Sequence, residues 1–285
     1  MKNGRHVCVL AVVAGLAAGA SGELVYGITQ EGFLVNWDSA TPAMIQMGSP
    51  IQGLGSNEKL VGIDFRPKTG ELYGIGSFSR MYKINTSNGF ATQVGGTFST
   101  VLNGSSFGVD FNPTVDRIRL VSNAGQNLRL HPDTGAVAFT DTNLAYVSGD
   151  PNFGKTPNVV HAAYTNNFNG AMTTQLFGID TGLDALVLQN PPNAGGLVTI
   201  GSIGVDVSDI GGFDISGATG TAYLVVRDSQ LGKSTFWTIN LATGMGSMIG
   251  EVGGGSIITA FSVAPAPGAL GVLGLGVLTG TRRRR

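Results

Sequence analysis

One phrase returns along this chain at a nearly fixed interval: an apolar strand ending near Asp, a turn, then an aromatic-bearing strand. It reads VGIDFRPKTGELYG at 61–74 and FGVDFNPTVDRIRL at 107–120, then HAAYTNNFNGAMTTQLFG at 161–178 and GFDISGATGTAYLV at 212–225. A third strand follows each copy (MYKIN 81–85, LRLH 128–131, ALVLQ 185–189, FWTIN 236–240), and then a fourth (ATQVG 91–95, AVAFT 136–140, GLVTIG 196–201, GSMIG 246–250). Asp64 and Asp110 are 46 residues apart, Asp110 and Asp214 are 104 apart, and Asp214 and Ser262 are 48 apart. Four short strands in roughly 45–50 residues is the period of a propeller blade. Glycine, 45 of 285 residues, is about twice its usual ~7% share, which favours many tight turns over helices.

The ends of the repeat array predict how it closes. LVYGIT (24–29), FLVNW (33–37) and AMIQMG (43–48) supply strands two, three and four of a unit, whereas ITAFSVAP (258–265) is a lone first strand. Pairing the last strand with the opening unit completes a fifth blade and leaves no open sheet edge between the ends. The expectation is an all-β fold: a β-propeller of five four-stranded blades closed by the C-terminal strand. An open β-solenoid or sandwich is the alternative.

Three parts are expected. Lys2 and Arg5, an apolar run from Val7 to Ala18 and the small residues Ala18-Gly19-Ala20 have the form of an export signal over residues 1–20. The propeller takes 23–264. The segment 265–285 has two prolines, a stretch from Gly268 to Gly280 without charge, and four terminal arginines. As a helix that stretch would span about 20 Å, short of the ~30 Å hydrocarbon core, which suits transient retention at an inner membrane better than permanent anchoring. The single cysteine, Cys8, falls in the signal, so the processed chain has no disulfide and no thiolate chemistry. Without both ends, eleven Lys and Arg face eighteen Asp and Glu, a net charge near −7. That balance argues against nucleic acid and anionic membrane surfaces as partners.

The tail resembles a PEP-CTERM sorting signal, with Ala266 where the name-giving Glu sits. The resemblance implies export to the cell envelope or outer surface and an exosortase-like processing partner. Over Leu24 to Val263 the chain also resembles a domain-of-unknown-function family of secreted bacterial proteins. The phrases that carry it are GVDFNPTVDRIRLVSNAGQNLRLHPDTG (108–135), AAYTNN (162–167) and QNPPNAGGLVTIG (189–201). That resemblance implies a propeller-like β fold and no established activity.

Several residues are candidates for chemistry. Asp64, Asp110 and Asp214 hold one position in three first strands, where Ala163 and Ser262 fill the other two. Converging near the axis, the carboxylates would either hold a hard cation such as Ca²⁺ or bond the backbone of the neighbouring blade. His131 aligns with Asp38, Asn85, Gln189 and Asn240 where strand three meets its turn, which marks it as a turn cap. His161 has no equivalent and is the histidine with a unique place. Arg117, Arg119, Asn127 and Arg129 concentrate forked and amide donors in a charge-poor chain; they could grip an acidic sugar or join blades. The loops TNNFNG (165–170) and QNPPNAGG (189–196) suit tight turns, and Trp37 suits the core. No P-loop, zinc-ligand pair, nucleophile elbow or dinucleotide fingerprint appears. The leading expectation is therefore a non-catalytic binding protein of the envelope, with exopolysaccharide as a possible ligand. The alternative is a hydrolase or lyase for a sugar or lactone, using His161, Asp110 and Arg117.

Overall fold

The computed structural model describes residues 22–266; the expected signal and the sorting tail lie outside the described residues, except for Pro265 and Ala266. Strands β1 (Leu24–Thr29), β2 (Phe33–Asp38) and β3 (Gln46–Pro50) belong to the first blade. The second blade is β4 (Leu60–Phe65), β5 (Leu72–Gly76), β6 (Arg80–Ile84) and β7 (Ala91–Val94). The third is β8 (Phe107–Asn112), β9 (Arg117–Ser122), β10 (Asn127–Leu130) and β11 (Val137–Thr140). After a short strand β12 (Ala145–Tyr146), the fourth is β13 (Val159–Tyr164), β14 (Leu176–Asp180), β15 (Ala185–Gln189) and β16 (Gly196–Ser202). The fifth is β17 (Gly211–Ile215), β18 (Ala222–Asp228), β19 (Lys233–Ile239) and β20 (Gly246–Glu251), and β21 (Ile258–Val263) ends the array. In blades two to five the four strands are antiparallel and follow chain order from the inside out. One pairing departs from the repeat: β12 runs parallel to β16 on the outer edge of blade four.

Closure occurs as the truncated repeats require. Strand β21 pairs antiparallel with β1, Val25 opposite Val263 and Tyr26 opposite Ser262, giving the sheet order β21-β1-β2-β3. The five first strands β21, β4, β8, β13 and β17 each pack against the next and circle one axis. The fold is a five-bladed β-propeller.

Burial follows from this geometry. A first strand is covered on both faces by adjacent blades, so every residue of β13 and of β17 is buried. The outermost strands β11 and β20 are mostly exposed. There is accordingly no single core; an apolar cluster fills each of the five gaps between blades. Between blades five and one, Trp37 packs edge-on to Phe236 at 5.7 Å and is 1% exposed, which confirms its core placement. Close to the axis the blades meet so tightly that a side chain would not fit. A Cβ on Gly62 would lie 2.5 Å from Val109 Cγ2 of the next blade, and one on Gly108 would lie 2.8 Å from the Ala162 nitrogen.

Each first strand runs from one face of the disc to the other. The face where β4, β8, β13, β17 and β21 begin holds the open end of the channel and is called the mouth face below. The described chain ends both leave on the opposite face, side by side: the Ala264 N–H donates to the Leu24 carbonyl at 2.8 Å.

Candidate functional site: the channel and its mouth

Within the channel, one position of the repeat builds a ring of bonds. Asp64 Oδ2 accepts the Phe111 N–H of the next blade at 2.7 Å, Asp110 Oδ1 accepts the Tyr164 N–H at 2.9 Å, and Asp214 Oδ2 accepts the Val263 N–H at 2.6 Å. Ser262 takes the same place in blade one: its Oγ accepts the Phe65 N–H at 3.3 Å and lies 2.7 and 3.0 Å from carboxyl oxygens of Asp64 and Asp214, its single O–H shared between them. Only the blade with Ala163 lacks the link, and there the Ile215 N–H turns to Asp214 Oδ1 at 2.6 Å. Each side chain thus pins the strand that follows it around the ring.

The three carboxylates are buried, and one oxygen from each lies within 4.8 Å of the others. Those oxygens are of the hard type that suits Ca²⁺, and Asp64, Asp110 and Asp214 are the residues that could hold such an ion. Without one, burial and mutual repulsion push the group up. Asp64 and Asp110 stand well above the usual carboxylate range, and Asp214, raised chiefly by burial, is pushed up to about 6.

Toward the mouth the channel narrows to a void of about 20 Å³, room for about one water. His161 lines it. In the alignment His161 occupies the place of Gly62, Gly108, Gly212 and Ala260, so this one gap between blades admits an imidazole where the others admit almost nothing. The ring is 3% exposed, its Nε2 lies 3.2 Å from the Ser208 carbonyl, and burial holds its pKa below the ordinary histidine value. With Nε2–H as the donor to that carbonyl, the neutral ring keeps its lone pair on Nδ1.

Above the void the mouth opens into a polar hollow of about 300 Å³, lined by Asn57, Lys59, Ser105, Ser106, Asp209 and Thr259 among others. Asp209 is occupied by Ser106, Asn158 and Thr181 hydroxyl and amide donors at 3.2, 3.1 and 2.5 Å. Lys59 is exposed, and its ammonium makes no ion pair or hydrogen bond among the described residues. None of the mouth residues except His161 stands out in sequence. They become visible only once the repeat is aligned, because the residues just before every first strand must then encircle one end of the axis.

The arginine-rich segment lies elsewhere, and most of the donors of Arg119, Asn127 and Arg129 are spent inside the protein. Arg119 is 1% exposed and spans blades three and four. It donates to Asp141 Oδ2 at 2.6 Å, to Asn127 Oδ1 and Asn193 Oδ1 at 2.7 Å each, and to Tyr164 Oη at 3.2 Å. Asn127 is fully buried and donates to the Thr142 and Pro192 carbonyls at 3.0 Å. Arg129 grips both oxygens of Asp141 at 2.8 Å and lies over the Phe139 ring. Arg117 donates to the Val115 and Asp116 carbonyls of its own turn. Of the two roles open to this segment, the geometry matches blade joining for Arg119 and Asn127, which reach blade four; Arg129 stays within blade three, where it completes the pairing of Asp141. The QNPPNAGG loop supplies Pro192 and Asn193 to the same joint, as part of a structural latch. Asp116 receives a two-pronged bond from Arg66 of blade two at 2.7 and 2.5 Å, on the face away from the mouth. His131 accepts the Asp133 N–H at 3.3 Å, as Asp38, Asn85 and Asn240 accept from residues two further on; Gln189 departs by donating to Pro192.

The three carboxylates therefore gather, while His161 sits apart from them toward the mouth and Arg117 on the far face. Among solved structures, the nidogen–laminin complex is similar at 11% identity, over 85% of this chain and 98% of that one, with a TM-score of 0.46. A protein of unknown function from Bacteroides thetaiotaomicron is similar at 13% identity, over 87% and 66%, with a TM-score of 0.49. No curated protein matches the sequence. A family defined by its sequence pattern does, from residue 33 in β2 to residue 262 in β21, which is nearly the whole ring; the chain belongs to the family described as Domain of unknown function (DUF4394).

Proposed function

We propose that this chain is an exported envelope or extracellular protein that binds a hydroxyl-rich acidic glycan at its mouth face, without catalysis. The observation that carries the reading is Lys59: an ammonium with no ion pair among the described residues, set among Ser, Thr and Asn groups in a hollow whose one acid, Asp209, is bonded by three neutral donors. An ammonium without a partner is free to meet a carboxylate, and hydroxyl and amide groups around it match sugar hydroxyls. The chain ends support the same orientation. A tail processed by an exosortase-like enzyme would leave from the opposite face, so a brief hold at the inner membrane keeps the mouth clear.

The hydrolase or lyase reading ranks second. The His161 Nε2 spends its bond on the Ser208 carbonyl, and no Ser hydroxyl or carboxylate bonds the ring among the described residues. A cation on the channel carboxylates would act in holding the ring, several residues below the mouth. The test is binding of the 22–266 propeller to an immobilised acidic exopolysaccharide. Wild type is expected to bind and Lys59→Ala to lose about tenfold in affinity, the worth of roughly 1.4 kcal/mol. Failure of wild type to bind any acidic glycan would overturn the proposal.

A further inference from the structure

We infer that the mouth hollow is the middle of a three-part track across the face, built for one chain of an acidic polysaccharide rather than for a single terminal sugar. This rests on the reading of the mouth given above and extends it.

Two grooves between blades adjoin the hollow on different sides. The first, between blades one and two, has a volume of about 380 Å³ and shares Lys59, Leu60 and Thr259 with the mouth. Beyond those shared residues its floor is apolar, with Ile51 and Leu54, and its rim carries Gln30 and Glu31. The second, between blades three and four, has about 450 Å³ and is bordered by Asn123, Asn143, Phe153 and Lys155. Asn123 ties it to the mouth. Its Oδ1 accepts the Ser105 N–H at 3.0 Å and its Nδ2 donates to Ser105 Oγ at 2.9 Å, so the wall of the groove and the rim of the hollow are one structure.

The chemistry along the track alternates as a sugar polymer does. A pyranose offers an apolar face of C–H groups and an equatorial edge of hydroxyls. Phe153, 63% exposed, presents a ring at one end, and Ile51 and Leu54 present an aliphatic floor at the other. Amides and hydroxyls lie between them. Lys59 marks the centre, and Lys155, whose ammonium bonds among the described residues only to the neutral Asn152 Oδ1 at 2.9 Å, stands beside Phe153. Two ammonium groups without acidic partners, set apart along one path, fit a ligand with repeated carboxylates. The acidic net charge of the core opposes this only weakly. At physiological salt the screening length is about 8 Å, so acids off the track count for little. Two lie on it, Glu31 at the rim of the first groove and Asp209 in the hollow. A bound chain would be held in register by seating its own carboxylates against Lys59 and Lys155 and away from these two. Each hollow is at the small end for a discrete ligand site of roughly 300–1,000 Å³, and affinity would accumulate over the linked subsites.

The experiment titrates the propeller with oligogalacturonates of two and of six units. The expected result is an affinity for the longer chain at least about thirtyfold higher, with Phe153→Ala losing about tenfold for the long chain and nothing for the short one. Lys59→Ala is expected to weaken both. Phe153 and Lys59 are exposed, so unchanged melting of both variants is the folding control. Equal affinities for the two lengths, with no effect of Phe153→Ala, would overturn the track and leave the mouth reading intact. Binding of neither length by wild type would overturn both.

Discussion

Blades are fastened to their neighbours in two opposite ways in two polar buried regions of this protein. At the joint of blades three and four, Arg119 is buried against Asp141, with Asn127, Asn193 and Tyr164 taking three more of its five N–H donors. Positive meets negative, and a second arginine, Arg129, completes the pairing of Asp141. At the axis three carboxylates are brought together with no arginine or lysine bonded to them among the described residues, and backbone N–H groups and the Ser262 hydroxyl face them. Both regions bridge neighbouring blades. The first meets the cost of burial with an opposite charge; the second lowers the cost by holding protons, or would need a cation. The joint should therefore be strong at any ordinary pH, and the axis should depend on the solvent.

The largest expected effect follows from breaking the joint. Arg119→Ala would leave Asp141 buried with half its pairing and would orphan Asn193 and Tyr164. Removing one partner of a buried ion pair costs about 3–5 kcal/mol, which for a domain of this size lowers the melting temperature by about 10 °C. Urea unfolding of wild type and variant measures it. A loss under about 1 kcal/mol would mean the pairing is no stronger than a surface salt bridge, and the contrast between the two regions would collapse.

This joint also shows what the sequence could and could not disclose. The blade count and the closing strand were readable, because a period near 48 and a unit missing its first strand are visible without coordinates. The equivalence of Asp64, Asp110, Asp214, Ala163 and Ser262 was readable for the same reason, and it placed all five on one ring. Arg119 was ambiguous. Alternation set it on one face of β9 with Arg117, but both faces of an inner strand are covered, so the face alone says nothing about exposure. Its partners Asp141 and Asn193 come from 22 and 74 residues away, out of any repeat register. Strand β12 was invisible, since Ala145–Tyr146 is too short to carry a pattern. Lys59 and Phe153 were missed because loop residues gain meaning only from what stands across the channel.

The next effect tests the axis. Asp214 is pushed up to about 6 and its two neighbours well above the usual carboxylate range, so the folded chain keeps protons that the unfolded chain releases. The ring's contribution is then fully present below about pH 4 and is lost as pH rises through 6. Two pKa units on Asp214 alone correspond to a loss on the order of 3 kcal/mol between pH 4 and pH 8. Asp133 and Asp116 act in reverse. Arg66 holds Asp133 below the ordinary value, and at Asp116 it outweighs a burial effect that would raise it. Their contribution disappears as pH falls below about 4, so maximum stability is expected in mildly acidic solution. Asp110→Asn, which keeps an oxygen for the Tyr164 N–H and removes a charge, should flatten the alkaline decline. Denaturation curves at several pH values, with and without a chelator, decide the matter. Stability that rises toward pH 8 and falls on chelation would reassign the ring to a hard cation.

The smallest effect is the one that separates these two regions from the mouth. Lys59 is a charge that neither fastens blades nor pairs with a carboxylate, since Nζ makes no ion pair among the described residues. Truncating an exposed, unpaired side chain alters stability by about 0.5 kcal/mol or less. Lys59→Ala should therefore melt with wild type at pH 5 and at pH 8, while Arg119→Ala melts far below it at both. A Lys59 variant whose stability fell with the pH of the axis would show that the ammonium acts on the buried carboxylates through the channel. It would then belong to the fastening of the ring and would no longer be free for a ligand.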